Sequence, residues 1–210
     1  MTRMQNHGRV DEQRASTKIQ GLYGGCAALI HPTTYSIAEH QHRFAAWAAA
    51  TAARASKLCR FNVKLGVNIL EESGFTADFS LDHLPITTLT DQTHQQWRNT
   101  VIDVAQERGL DFTHGVAAKL INCYLKGRFV CGGYADHERV QPLHPPIDSV
   151  LLKGLATRNV GGYAADWQRF YAWRWSKYSS EQYEEVIALI RQAMPGCPLW
   201  EIESYWQGHQ

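Results

Sequence analysis

Residues 91–126 read DQTHQQWRNTVIDVAQERGLDFTHGVAAKLINCYLK, and this stretch decides the fold that we expect for the chain. Apolar side chains recur at helical spacing over 97–105, which predicts an amphipathic helix with Asp91 as its N-cap. Gly109 is the natural stop of that helix, because glycine readily adopts the left-handed backbone that ends many helices. Gly115 then opens a second helix, so the stretch predicts a helix, a tight turn and a helix.

Residues 36–57 form a long alanine-rich pattern that begins with a capping box made by Ser36 and Glu39. Phe44 and Trp47 recur at helical spacing, so we expect them to lie on the buried face of this helix. The many alanines would allow neighbouring helices to approach closely.

The rest of the chain is also predicted to be helical, with one ambiguous segment. Residues 61–70 alternate between apolar and polar side chains, which is typical of a strand, yet Val63, Val67 and Leu70 also fit one face of a helix. We expect irregular connections over 75–90 and 127–145, and further helices from about Ile147 and over 163–175, 180–194 and 199–207. The expected fold is therefore all-α, with at most a minor β element.

The length and the charge balance restrict the function. A chain of 210 residues is long enough for one domain, or for two small helical lobes around a cleft. The 21 Lys and Arg residues nearly balance the 20 Asp and Glu residues. A polybasic coat for nucleic acid is therefore excluded, and any DNA contact must come from a local basic patch.

The same composition predicts a protein of the cytoplasm. No apolar run reaches 18 residues, and the polar stretch 1–20 is a flexible leader rather than a secretion signal. The five cysteines are odd in number and have no close pair, which favours a reducing compartment. Their spacing with the histidines matches no common zinc pattern, so we expect neither a metal nor another cofactor.

Chemistry concentrates at Lys119 and Asp148. We expect Lys119 in the first turn of the second helix, where the helix dipole and partial burial both favour the neutral, nucleophilic amine. Asp148 follows two prolines at the start of a helix, where the dipole favours an acid. Taken singly, a helical lysine is ordinarily solvated and an aspartate at a helix start is ordinarily a cap.

Together, the hairpin sequence Gly-Val-x-x-Lys at 115–119 and the Pro-x-Asp at 146–148 resemble the helix-hairpin-helix DNA glycosylases, in particular the 8-oxoguanine glycosylases. The resemblance covers residues 91–155 and favours the helical interpretation of 61–70. It departs at Ala117, where the family usually has a second glycine, and it lacks the four-cysteine iron–sulfur motif of some relatives.

The resemblance implies a role for each matching residue. Lys119 attacks the sugar, Asp148 assists, and Cys123 lies against the flipped base. Phe170 and Trp173 are the first candidates for stacking on that base, in an aromatic set that also contains Trp167, Tyr171 and Trp175, although aromatic residues at such density also suit a core. Expected DNA contacts are His114, Gly115, Val116, Ala117, Lys126 and Arg128, with a second basic cluster at Arg54, Lys57, Arg60 and Lys64.

The expected function is excision of an oxidised purine from double-stranded DNA through a lysine imine, with strand cleavage, by a monomer whose single glycosylase-like domain spans 21–210. Two alternatives stay open. One is a glycosylase for another modified base, such as a modified cytosine in foreign DNA. The other is a helix-hairpin-helix module that only binds DNA.

Overall fold

The computed structural model of this protein describes residues 35–54 and 59–208. The predicted leader over 1–20, together with Cys26 and Lys57, lies outside the described residues. The helices are α1 (Ile37–Ala53), α2 (Val63–Glu72), α3 (Thr90–Glu107), α4 (His114–Leu125), α5 (Ser149–Thr157), α6 (Ala164–Trp173) and α7 (Ser180–Ala193). Neither described range contains a strand, so the predicted all-α fold is confirmed. None of these helices combines the length and apolarity that a membrane span requires.

Helix α4 lies at the centre of the core, with ten of its twelve residues buried. Helix α1 packs against it through a face of fully buried alanines at Ala45, Ala46, Ala49, Ala50 and Ala53. Their small side chains let the two helices approach closely, as the sequence predicts. The same geometry corrects the predicted buried face, because Phe44 and Trp47 lie on the other side of α1 and are 61% and 53% exposed.

Only half of the predicted capping box at the start of α1 is present. The Ser36 side chain accepts a hydrogen bond from the Glu39 backbone N–H at 3.1 Å. The Glu39 carboxylate instead accepts from Arg43, one turn further along the helix. The cap therefore satisfies one of the free N–H groups rather than two.

Residues Val63–Glu72 form helix α2, so the helical interpretation of this ambiguous segment is confirmed and the strand alternative is wrong. The Asn62 side chain caps the helix by accepting from the Leu65 backbone N–H at 2.8 Å. Ile69 and Leu70 then enter the core. Capping and one-sided burial outweigh the local alternation of apolar and polar residues.

The turn between α3 and α4 brings α4 against a later segment of the chain. Gly109 has φ +72°, which confirms it as the stop of α3. Thr113 caps α4, and an added Cβ at Gly115 would lie 1.7 Å from the Trp175 carbonyl oxygen. Only glycine allows this approach of α4 to the short 3₁₀ helix at Trp175–Lys177.

The sequence predicts Asp91 to be the N-cap of α3. This prediction is wrong, because the helix begins one residue earlier, at Thr90. Its carboxylate accepts hydrogen bonds from His144 and Arg191 instead. Residues 127–145 are likewise more regular than predicted, because α4 continues into a π-helix at Lys126–Tyr134. A second 3₁₀ helix, Leu199–Tyr205, packs on α5 near the end of the described chain.

Candidate active site

Lys119 and Asp148 form an ion pair, with 3.0 Å between Nζ and Oδ2. The Lys119 side chain is only 7% exposed and that of Asp148 only 17%. Asp148 is also the N-cap of α5, because its Oδ1 accepts from the Leu151 backbone N–H at 2.8 Å. The cap holds one carboxylate oxygen and leaves the other one facing Lys119.

Asp148 is ionised in this setting. Burial alone would raise the pKa of its carboxyl, but the charge of Lys119 and hydrogen bonds from Leu151, Lys119 and Trp206 outweigh burial and lower it. The Trp206 indole N–H donates to Oδ2 at 3.0 Å. The pair therefore rests as a carboxylate beside a cation, held by groups from three separate parts of the chain.

The pair opens onto a cleft of about 520 Å³. This volume is in the range of sites for small organic molecules. The cleft is surrounded by residues from α1, α4, the π-helix, α5 and the 3₁₀ helices at Trp175–Lys177 and Leu199–Tyr205, together with residues that flank these elements. They are Phe44, Ala48, Ala52, Lys119, Cys123, Lys126, Gly127, Cys131, Pro146, Asp148, Ser149, Val150, Trp175, Glu203 and Trp206.

Aromatic rings and a second ion pair set the character of this cleft. Trp175 lies beside the amine, with 5.9 Å between Lys119 Nζ and its ring centroid. Lys126 donates a hydrogen bond to Glu203. Burial raises the pKa of Glu203, although Lys126 acts in the opposite direction, and Glu203 in turn raises the pKa of Lys126 against the effect of burial.

Cys123 reaches the same cleft from α4, one helical turn after Lys119. Burial raises the pKa of its thiol. The side chain is therefore a neutral, polarisable group, and three of the predicted site residues (Lys119, Asp148 and Cys123) do meet in one place.

The placement of Lys119 within α4 differs from the prediction. Helix α4 begins at His114, so Lys119 is its sixth residue and lies in the second turn rather than the first. The effect of the helix dipole falls off within the first turn. Lys119 therefore lies beyond the turn in which the dipole of α4 acts, and the Asp148 carboxylate is its charged neighbour.

Three residues at the start of α4 that are predicted to contact DNA are instead turned into the protein. Gly115, Val116 and Ala117 are buried. Their backbone N–H groups donate to the Tyr178 carbonyl, the Thr113 hydroxyl and the Thr113 carbonyl. This corrects the expectation that Gly115, Val116 and Ala117 contact DNA, because their N–H groups already have partners inside the protein, while His114 stays half-buried.

Arg128, Phe170 and Trp173 are also placed away from the predicted roles. Arg128 is buried, and its guanidinium donates to the carbonyl oxygens of Ala38 and Ala77. Phe170 is fully buried in the core, and Trp173 packs against it outside the lining of the cleft. The structure thus gives these three residues structural roles, whereas Lys126 does reach the cleft.

Sequence reasoning missed Glu203 and Trp206 as members of the site, and it named Trp175 only as one of several candidate stacking rings. They follow Lys119 by more than 50 residues and meet it only through tertiary packing. One signal was available, since Glu203 and Trp206 are three residues apart and so share one side of the predicted last helix.

In the two described ranges, no three residues among His, Cys, Asp and Glu are arranged to hold a metal ion. Comparison with protein-family models, curated proteins and solved structures finds no match to this chain.

Proposed function

We propose that this protein is a DNA glycosylase with lyase activity, of the helix-hairpin-helix type, in which Lys119 is the attacking amine and Asp148 its partner. The observation that carries the proposal is the 3.0 Å ion pair between a buried lysine and a capping aspartate at an aromatic cleft. Helical lysines are ordinarily solvated, so a buried lysine that is paired with a carboxylate beside a cleft supports a catalytic role.

The cleft suits a flipped nucleotide. A base inside a duplex is out of reach, so the nucleotide rotates out of the stack and enters the protein. Trp175 and Trp206 offer aromatic surface to a flat ring. Lys126 and Glu203 offer a donor and an acceptor to the polar edge of a base, and Cys123 adds a polarisable contact.

The reaction begins when the nucleotide displaces water and the Lys119 ammonium passes a proton to solvent, so that Asp148 stays ionised. The free amine forms a bond to C1′ of the sugar, while the bond from C1′ to the base nitrogen breaks. The base leaves with that electron pair and takes up a proton. Asp148, when ionised, stabilises the positive charge that develops on the sugar.

Strand cleavage follows from the covalent intermediate. Opening of the sugar ring converts the amine adduct into an imine. The imine draws electrons from C2′, which loses a proton to solvent, and the C3′–O bond then breaks with its electron pair on the departing phosphate. Each step uses side chains of this chain and DNA, and the lysine chemistry requires no metal, so we expect activity to persist in EDTA.

Borohydride trapping tests the attacking amine. Borohydride reduces an imine to a stable amine, so the wild-type protein is expected to give one crosslinked band with a cleavable duplex on a denaturing gel. Lys119→Gln is expected to abolish the band, and the exposed Lys177→Gln serves as the matched control that keeps it. Asp148→Asn is expected to slow trapping about 10²-fold, because it removes the charge that offsets the sugar cation. A band of equal strength in Lys119→Gln would transfer the role to another amine.

A panel of lesion duplexes tests the substrate. We expect 8-oxoguanine to be excised fastest, ahead of uracil, alkylated purines and modified cytosines, since Cys123 lies on the Lys119 side of the cleft. Rapid excision of a modified cytosine with 8-oxoguanine untouched would leave the reaction in place and change its substrate. Binding of all duplexes with no cleavage of any would favour a module that only binds DNA.

A further inference from the structure

A second cleft runs along α5 beside the first. Its volume is also about 520 Å³, and its described lining is Ser149, Val150, Lys153, Gly154, Thr157, Arg158, Tyr171 and Gln207. Ser149 and Val150 line both clefts. A chain that enters the Lys119 cleft can therefore continue into this second one, which we call the α5 cleft, without leaving the surface.

The charges of the two clefts differ. In the Lys119 cleft two lysines face two carboxylates, which leaves it close to neutral. The α5 cleft carries Lys153 and Arg158 and has no carboxylate among its described lining residues. Neither cation forms an ion pair with another described residue. The first cleft suits a neutral base, and the second suits an anion.

Two further contacts shape the α5 cleft for a polyanion with aromatic or sugar surfaces. The Arg158 guanidinium lies over the Tyr205 ring, 5.8 Å from its centroid, which restrains a cation that is otherwise exposed. Tyr171 is 47% exposed and presents a flat ring at the same cleft. The hairpin N–H groups at the start of α4, by contrast, already have partners inside the protein.

The spacing of the cations fits a nucleic-acid strand. At about 1.5 Å per helical residue, Lys153 lies roughly 7 Å and Arg158 roughly 15 Å along α5 from Asp148. A duplex strand advances about 3.4 Å along its axis per nucleotide, so a strand that runs along α5 brings phosphates about two and four nucleotides from the reacting sugar beside these two cations.

We propose that the α5 cleft binds the sugar–phosphate backbone of the DNA strand whose flipped nucleotide occupies the Lys119 cleft, with Lys153 and Arg158 contacting two of its phosphates. This inference rests on the proposed function, since it takes DNA to be the ligand. It assigns the electrostatic contact to α5 rather than to the hairpin or to Arg128.

The test is the salt dependence of DNA binding by the full chain. The probe is a duplex with a tetrahydrofuran abasic analogue, which cannot be cleaved, followed by fluorescence anisotropy over a range of NaCl concentrations. Each phosphate contact contributes about 0.9 to the slope of log Kd against log salt. Lys153→Gln combined with Arg158→Gln is expected to lower that slope by about 2 and to weaken binding about 60-fold at 0.1 M NaCl.

Two matched variants define the comparison. Arg174→Gln with Lys177→Gln removes two exposed cations that line neither cleft and are not among the expected DNA contacts, and it is expected to leave the slope unchanged. Lys153→Arg with Arg158→Lys keeps both charges and is expected to retain the wild-type slope. At saturating DNA, the Lys153→Gln and Arg158→Gln protein is expected to keep borohydride trapping, because neither side chain touches the Lys119 cleft.

The outcomes separate the two proposals. Wild-type binding and trapping with an unchanged slope in the Lys153→Gln and Arg158→Gln protein would overturn the α5 assignment and leave the glycosylase proposal standing. An equal loss of slope in the Arg174→Gln and Lys177→Gln control would also overturn it, because the effect would then reflect net charge. A wild-type protein that neither binds duplex DNA nor forms the trapped band would overturn both.

Discussion

Lys119 and Asp148 each depend on the other, because both charges are largely removed from water. Removing one partner of a buried ion pair leaves the other charge uncompensated, which commonly costs about 3 kcal/mol or more. Asp148→Asn is therefore expected to lower the free energy of unfolding at pH 7 by about 3 kcal/mol, measured by urea denaturation. Adding Lys119→Met removes the uncompensated ammonium and is expected to recover much of the loss.

The Lys119–Asp148 pair also predicts how the difference in stability between wild type and Asp148→Asn changes with pH. The pKa of Asp148 is lowered in the folded protein, so its contribution is present above the unfolded value of about 3.9 and is lost as the pH falls through the folded value. Wild type and Asp148→Asn are thus expected to differ at pH 7 and to converge well below pH 4. Equal stability of the two proteins at pH 7 would show that the pair contributes nothing.

Contacts between helices rest on a few positions that lack a side chain, and Gly115 is the tightest of them. Alanine there would place its Cβ 1.7 Å from the Trp175 carbonyl oxygen, so α4 or the Trp175–Lys177 helix must shift. Gly115→Ala is expected to cost at least about 3 kcal/mol, at the upper end of overpacking. Because Lys119 and Trp175 lie on the two shifted elements, trapping is also expected to slow.

Gly132→Ala is the matched control for this substitution. Its Cβ would meet the Tyr134 ring at 3.7 Å, which is ordinary contact, and Gly132 is absent from the glycines with positive φ. We expect a change within about 0.5 kcal/mol in the unfolding free energy. If both glycine variants unfold at the same urea concentration, the close approach at Gly115 does not limit the fold.

The helices themselves were predictable because their signals are local. Periodic apolar residues and the stop at Gly109 act within a few residues, and they predicted α3, α4 and α7 with ends close to those observed. The direction that each helix faces is not local. In α1 the alanines are buried and Phe44 and Trp47 are exposed, because close packing against α4 leaves no room for large rings.

The residues of the candidate site also fall into two groups, those that local sequence signals predict and those that only tertiary packing brings together. Lys119 and Cys123 are one helical turn apart, so their common face follows from the sequence, and the Asp148 cap follows from its proline approach. Trp175 and Glu203 join them only because the chain returns to α4 and α5 after long separations. The roles expected for Arg128 and Phe170 are wrong for a related reason. Tertiary packing buries both side chains, and the local sequence pattern does not show this.

Across the described chain, a buried polar network joins elements from both halves of the sequence. The Asn122 side chain on α4 donates to the Pro145 carbonyl and to the Tyr183 hydroxyl, each at 2.9 Å, and accepts from His94 at 2.7 Å. Tyr183 in turn donates to His144 at 3.0 Å. The network thus fixes the segment that leads to Asp148 relative to the helix that carries Lys119.

This network makes the stability of the whole fold sensitive to mild acid. Burial lowers the pKa values of His94, His114 and His144, so these rings stay neutral in the folded protein at a pH where the unfolded chain binds protons. Stability is therefore expected to fall as the pH drops below the unfolded value of about 6.5, by up to about 1.4 kcal/mol per pH unit for each histidine. Urea denaturation between pH 7.5 and 5 measures the slope. His144→Gln is expected to reduce this slope by the contribution of one proton. A flat profile over this range would mean that the buried histidines already carry their protons in the folded state.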